Sequence, residues 1–208
     1  MVKLYYTPTS CGASSFIAAY IAELNFECEI VDLSTHKTES GIDFYTVNPK
    51  GNVPTLVLDD GTILNENISC LLYILDLQYK KYNEFSDAKY LGPDTNTSER
   101  YIMLQNLSFI ATELHPTIGL FFNPKVKNDE YLREFAISVF DRKMKYLEKH
   151  VIKNNNFIID DYLTIVDLYL HIVLSWTGYV NINLSNYPKA HAYYNKISRS
   201  EEHTSELQ

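Results

Sequence analysis

Cysteine is scarce in this sequence, which has three such residues, Cys11, Cys28 and Cys70, in a chain of 208. They are too few and too scattered for a disulfide framework, and no Cys-x-x-Cys pair or Cys/His cluster has the spacing of a zinc site. A reducing compartment and no metal are expected. Long apolar runs are also missing. None approaches the roughly 18 to 20 residues of a membrane span, and the opening Met1–Pro8 reaches a turn before it could form the apolar stretch of a secretory signal. Basic charge is in deficit as well. Eighteen Lys and Arg against 26 Asp and Glu leave a net charge of -8 and an isoelectric point near 5.2, which argues against nucleic acid or an acidic membrane surface as the main partner. The expected location is cytoplasmic. What the chain does have is core-forming material. A 46% hydrophobic share, with 13% of the chain aromatic and a mean hydropathy of -0.19, marks a globular protein rather than a disordered one.

The segment from Val2 to Tyr6 alternates as a half-buried strand, and Thr7-Pro8-Thr9-Ser10 breaks it. Phe16, Ile17, Tyr20, Ile21 and Leu24 then fall on one stripe of a helix, supported by Ala18, Ala19 and Ala22. Glu27 to Leu33 reads as a second strand, and so short a strand-helix-strand connection favours a parallel pair. Asn48-Pro49-Lys50-Gly51-Asn52-Val53-Pro54 is a loop. Asp59-Asp60-Gly61 between two β-rich runs is a hairpin signal, because glycine takes positive φ readily. Ile68, Leu71, Leu72 and Leu75 follow Asn65-Glu66-Asn67 at the spacing of an amphipathic helix that starts there. The expectation is an α/β first domain over 1–82, βαβ then ββα around a mixed four-stranded sheet.

Residues 83–96 turn polar and contain Gly92-Pro93, which suits a linker. An all-α bundle is expected over 97–198. Leu104, Leu107, Ala111 and Leu114 share a helix face, and Pro116 disfavours α geometry at His115, predicting a kink or break. Leu132, Phe135, Ala136 and Val139 begin a further helix that continues through Phe140, Met144, Leu147 and Val151. Thr164-Ile165-Val166-Asp167 reads as a capping box with Asp in the usual Glu or Gln place. Residues 199–208 look like the conceptual translation of a sequencing-library adapter and are set aside as a non-native tail. Removing one Arg and three Glu with them leaves 17 basic against 23 acidic residues, a net charge of -6 over 1–198.

Three local features could carry chemistry. Cys11 stands where the first strand meets the first helix, where helix-end amides favour a thiolate, although a buried structural thiol is nearly as consistent with the position. Cys28 and Cys70 lie in apolar patterns and read as core. Val53 before Pro54, whose peptide bond could be cis, could present a strand edge to a peptide-like ligand. Glu66-Asn67 at a helix start could hold a carboxylate on amides while Glu66 accepts from an ammonium. An ordinary trans proline and a plain N-cap are the structural alternatives.

These features in this order resemble the glutathione S-transferase family, closest to its bacterial beta class. The resemblance rests on Lys3-Leu4-Tyr5-Tyr6-Thr7-Pro8 leading to Cys11, on Lys37-Thr38-Glu39-Ser40-Gly41, on Asn48 to Pro54, and on Asp60-Gly61-Thr62-Ile63-Leu64. Phe157-Ile158-Ile159-Asp160-Asp161 and Thr164 to Asp167 carry it into the helical part. It implies a thioredoxin-like first domain in which Cys11 contacts the glutathione sulfur and can form a mixed disulfide with it. It further implies that Val53, before a cis Pro54, pairs with the cysteinyl backbone, that Glu66 and Asn67 hold the γ-glutamyl end, and that Lys50 lies near the tripeptide. Tyr6 and Ser10 are competing candidates for the thiol contact. His115 and Trp176 match residues that line the thiol site from the helical domain, and Phe109, Phe121 and Phe122 are candidates for an apolar wall or for plain core. Asn67 stands where the family has a small Ser or Gly, His36 where it has Lys, Ser108 where it has Asn, and Asp160 where it has Gly.

The function so implied is a bacterial, cytoplasmic, homodimeric detoxification enzyme. It would use glutathione as co-substrate for conjugation to small hydrophobic electrophiles, with glutathione-dependent disulfide or peroxide reduction as a further activity. A glutathione-binding or interaction protein with little turnover and a thiol-disulfide oxidoreductase are the alternatives.

Overall fold

A computed structural model of the chain describes residues 1–82, 90–153, 157–159 and 161–205, as backbone alone from 200 onward. Two compact units divide it, Met1–Gly92 and Pro93–Gln208. The division falls inside the expected 83–96 linker, of which 83–89 lie outside the described residues. The end of that stretch is tied to the first unit: Leu91 is buried and donates its N–H to Gln78 Oε1 at 2.8 Å, and the Tyr79 hydroxyl donates to the Gly92 carbonyl at 2.6 Å.

The first unit runs β1 (Lys3–Tyr6), α1 (Gly12–Ile21), β2 (Glu27–Asp32), β3 (Lys37–Thr38), β4 (Thr55–Val57), β5 (Ile63–Leu64) and α2 (Asn67–Tyr82). Its sheet has five strands in the order β3-β2-β1-β4-β5, one more than expected. The extra strand, β3, pairs antiparallel with β2, setting Thr38 opposite Val31. It escapes hydropathy because a two-residue edge strand of Lys and Thr is made by backbone bonds and a turn, with His36 at φ 51° and Gly41 at φ 87°. β1 and β2 are parallel, with Leu4 opposite Cys28, and β4 runs antiparallel to β1, with Leu56 opposite Leu4. The Asp-Gly hairpin forms as expected, joining β4 to β5 through Gly61 at φ 83°.

α1 does not bury the stripe its large residues mark. Ala18, Ala19 and Ala22 are fully or almost fully buried, with Ser14 and Ser15, while Tyr20 is 46% exposed. Small side chains let the helix approach its neighbours closely, and the bulky ones are pushed to the rim. α2 buries Cys70, Leu71, Ile74, Leu75 and Gln78, a face of clean helical spacing. On the other face of the sheet, Tyr5, Val31, Phe44 and Val53 form a separate buried cluster. Beside it Lys3 pairs with Glu27 and with the buried Glu29, both at 2.8 Å, and Ser40 donates its N–H at 3.0 Å and its hydroxyl at 2.5 Å to Glu29. Cys28 is exposed, against its expected place in the core.

The second unit is helical: α3 (Ser98–Phe109), α4 (His115–Gly119), α5 (Pro124–Asn128), α6 (Glu130–Tyr146), α7 (Ile165–Tyr179) and α8 (Pro188–Ser205), with π-helical turns at Ile110–Leu114 and Leu147–Val151. His115 keeps right-handed helical geometry, φ -56° and ψ -53°, so the break expected there takes another form. Proline removes an N–H and crowds the preceding turn. The widened turn before His115 accommodates it, and the Thr117 hydroxyl takes up the Glu113 carbonyl at 2.5 Å. α6 buries Ala136, Phe140 and Met144 but leaves Phe135 59% exposed, contrary to the sequence pattern.

The capping box forms around a fully buried Asp167. Its Oδ2 accepts the Thr164 N–H at 2.8 Å and hydroxyl at 2.6 Å, and its Oδ1 accepts the Ile158 N–H at 2.8 Å and the Tyr193 hydroxyl at 2.5 Å. Asp160 lies outside the described residues. α8 continues as backbone through the 199–205 part of the tail.

Candidate functional site

The start of α1 is built by residues too small and polar to register as hydropathy. Ser10 donates its hydroxyl to the Thr7 carbonyl at 2.8 Å and accepts the Gly12 N–H at 3.1 Å, so it closes the turn that leads into the helix. A Cβ on Gly12 would lie 3.3 Å from the Pro54 nitrogen and 3.1 Å from Ser10 Oγ, so the absence of a side chain lets this turn sit against the Val53–Pro54 segment. That peptide bond is cis.

Across this close approach the Cys11 thiol donates to the Val53 carbonyl at 3.5 Å. Burial pushes the Cys11 thiol up to about 12. The N–H groups of Cys11 and Gly12 oppose the rise and the Glu66 carboxylate adds to it. Desolvation therefore outweighs the helix-end field that favoured a thiolate in the sequence reading, and Cys11 is a neutral hydrogen-bond donor near neutral pH. Val53 itself is buried.

Glu66 precedes α2 and its carbonyl accepts the Cys70 N–H at 2.9 Å, opening the helix. Its carboxylate is exposed and ion-paired with the Lys50 ammonium. Lys50 comes from the Asn48–Pro54 loop, whose shape depends on Gly51 at φ 65°, where a Cβ would fall 2.5 Å from the Tyr45 ring. Asn48 organises the same loop by donating to the Asn52 carbonyl at 2.8 Å and to Thr55 Oγ1 at 3.0 Å. Asn67 does not face solvent. It is buried, and its side chain is bonded to Ser14 and Ser15 of α1. The structure thus joins Cys11 to Val53 and Lys50 to Glu66, and turns the Asn67 side chain into the protein.

Tyr6 backs the same turn, since a Cβ on Gly12 would lie 3.3 Å from the Tyr6 Cβ, but its ring stacks on Phe16 of α1 at 4.5 Å. Burial, then the charges of Cys28 and Glu39, raise its pKa.

In the helical unit His115 and Trp176 meet edge to face at 4.7 Å, and Phe122 packs on the same indole at 6.3 Å. His115 Nδ1 lies 2.8 Å from the Tyr169 hydroxyl, and burial lowers the pKa of the imidazole. Tyr169 was invisible as a partner in the sequence because 54 residues separate it from His115. Phe121 is core, against Phe140 at 6.1 Å, while Phe122 is 51% exposed. Phe109 does not join the tryptophan cluster. It packs on Tyr146 at 4.9 Å and lines a groove of about 490 Å³ with Ser108, Glu113, Arg142 and Lys143.

A mixed sheet with a parallel β1–β2 pair, a cysteine at the first helix and a cis proline opposite it defines a thioredoxin-like unit, here followed by an all-α unit. Residues 13–77 match the family model of the glutathione S-transferase N-terminal domain, and residues 113–202 that of the C-terminal domain. The chain is 32% identical to glutathione S-transferase GstA of Escherichia coli O157:H7, covering 97% of this chain and 94% of that one. Among solved structures it is similar to the glutathione S-transferase of a sphingomonad in complex with glutathione, with 33% identity, a TM-score of 0.82 and coverage of 94% and 92%. The bacterial beta class enzyme of Sphingomonas chungbukensis is 32% identical, with a TM-score of 0.80 and the same coverage. The chain belongs to the glutathione S-transferase family.

Proposed function

We propose that this protein is a glutathione transferase that joins the thiol of glutathione to small hydrophobic electrophiles, working as a cytoplasmic homodimer in detoxification. The observation that carries the reading is the convergence, in one unit, of the Cys11 thiol on the Val53 carbonyl with Glu66 as its charged neighbour. Such a unit offers a strand segment to the cysteinyl backbone, a carboxylate to the γ-glutamyl ammonium and a thiol donor to the reacting sulfur. Ser10 holds the turn. Lys50, ion-paired with Glu66, puts a cation at that end.

When glutathione binds, the single Cys11 S–H proton turns from the Val53 carbonyl to the glutathione sulfur and so favours its thiolate, the form that attacks an electrophile. The same neutrality weighs against Cys11 as a redox nucleophile. A thiol titrating near 12 is about one part in 10⁵ thiolate at pH 7, and thiolate is the species that attacks a disulfide. This favours conjugation over disulfide exchange centred on Cys11. In the helical unit Trp176 and the exposed Phe122 supply apolar surface for the electrophile, and His115 serves as an uncharged hydrogen-bonding group. Tyr101, Tyr131 and Phe135, all more than half exposed, favour self-association.

Calorimetry with glutathione, run beside conjugation and mixed-disulfide assays, tests the proposal. Binding with conjugation dominant is expected. No binding at millimolar glutathione would overturn it, and binding without turnover would make the chain a glutathione-binding protein instead. Light scattering should give twice the chain mass; a monomer at micromolar concentration would contradict the dimer.

A further inference from the structure

The most specific unassigned feature of the first unit is a chain of buried hydrogen bonds beneath Cys11. Asn67 Nδ2 donates to Ser14 Oγ at 3.1 Å, and the Ser14 hydroxyl donates to the Cys11 carbonyl at 2.7 Å. Ser15, next along α1, donates to Asn67 Oδ1 at 2.9 Å. Ser14 and Ser15 are wholly buried and Asn67 is 7% exposed. Ser14 Oγ also lies 3.4 Å from Asn67 Oδ1, but a hydroxyl has one proton, and the shorter 2.7 Å contact to the Cys11 carbonyl takes it, which leaves a lone pair to accept Asn67 Nδ2.

We propose that Asn67 is a positioning residue that fixes Cys11, through Ser14, relative to the start of α2 where Glu66 stands. This deepens the glutathione reading, because Glu66 and Cys11 are there assigned to opposite ends of the γ-glutamylcysteine moiety. The physical reason lies in the length of the side chain. A carboxamide at position 67 reaches across to α1, where its amide orients Ser14 while its oxygen separately accepts from Ser15. Ser14 in turn holds the Cys11 carbonyl, and with it the backbone from which the thiol is aimed at Val53. The Ser15 hydroxyl bonds the carboxamide's oxygen and makes no bond to Cys11.

The route makes a prediction that packing alone does not. Cys11 alkylation is followed by mass spectrometry on its own peptide across a pH series, in a Cys28→Ser background and without glutathione. Asn67→Ala and Ser14→Ala should each free the first turn, raise the Cys11 labelling rate about tenfold near pH 8 and move its titration toward that of an ordinary thiol. Ser15→Ala should lower the melting temperature but leave Cys11 labelling near its original rate. In the double variant Asn67→Ala/Ser14→Ala the effect should not add, because both changes cut one route. If Asn67→Ala does not fold, Ser14→Ala and Ser15→Ala decide the matter between them. The proposal is overturned if Asn67→Ala or Ser14→Ala loses stability with an unchanged Cys11 profile, or if Ser15→Ala moves that profile as far as Ser14→Ala does. Because the labelling uses no glutathione, an absence of glutathione binding by calorimetry would remove the functional reading while leaving this result to stand or fall separately.

Discussion

The Cys11 thiol and the Val53 carbonyl, 42 residues apart in sequence, meet at 3.5 Å where the first turn of α1 crosses the segment leading into β4. Val53 gives the thiol an acceptor, and the surrounding protein keeps it protonated. Cys11→Ala should therefore remove a hydrogen-bond donor rather than a nucleophile. Conjugation should fall by about tenfold, the value of one such bond, and remain measurable. Complete loss of conjugation with an unchanged melting temperature would assign Cys11 a covalent role.

Reactivity among the thiols should follow exposure. Cys28 is exposed on β2, while Cys70 is buried with its thiol directed to the Leu64 carbonyl and pushed up to about 12 by burial. Alkylation followed by peptide mass spectrometry should label Cys28 first, Cys11 slowly and Cys70 only on unfolding. Fast labelling of Cys70 in the folded protein would contradict the packing of α2.

Glu66 and Lys50 differ in what they contribute. Their ion pair is exposed on both sides, and such pairs are worth about 0 to 1 kcal/mol. Lys50→Met should thus change glutathione affinity by no more than about fivefold. Glu66→Ala should weaken it by about 1.5 to 3 kcal/mol, because the ligand's ammonium would lose a charge-assisted bond. Calorimetry on both variants separates the two; equal effects would mean that the pair, rather than the carboxylate, is what the ligand needs.

Acid should act through Glu29. Burial alone would raise its pKa, but the Lys3 ammonium and Ser40 outweigh it and hold the carboxyl at about 2, below its ordinary 4.5. Because the folded value is the lower one, this stabilisation is complete above pH 4.5 and is lost as the pH falls toward 2. It amounts to about 3 kcal/mol at most. Urea titrations of Glu29→Gln should show a shallower loss of stability between pH 5 and 2. An acid limb identical to that of the unaltered protein would place the sensitivity elsewhere.

The helical unit should be most sensitive at Asp167, whose carboxylate receives four donors in a fully buried setting. Burial raises its pKa while those donors oppose the rise. Asp167→Ala leaves all of them without an acceptor and should cost more than about 3 kcal/mol. Asp167→Asn keeps one carbonyl oxygen and should cost less. Denaturant midpoints would reveal the order, and a reversed order would mean that the negative charge rather than bond satisfaction is what the box requires.

Where structure is local, the sequence was sufficient. Alternation wrote β1, glycine after aspartate wrote the β4–β5 hairpin, and a carboxylate three residues after Thr164 wrote the start of α7, because each depends on neighbours within a few positions. The candidate site was legible to the same degree. Cys11 before a helix, Val53 before a proline and Glu66 at a helix start are local signals, and their order along the chain carried the resemblance to the family. Hydropathy misled wherever the partner decides burial. Alanines and serines of α1 went inward because α2 and the sheet come too close for anything larger, Phe135 stayed outside, and β3 came from backbone pairing that polar residues make as well as apolar ones. The sequence by itself determined the principal elements other than β3, their order and the residue types at the site. Only the tertiary structure decided that the Cys11 thiol is desolvated and neutral, that Asn67 points inward to Ser14 and Ser15, and that Tyr169 bonds to His115. A pKa or a hydrogen bond is set by what lies within a few ångströms, and in these cases the neighbours come from distant parts of the chain.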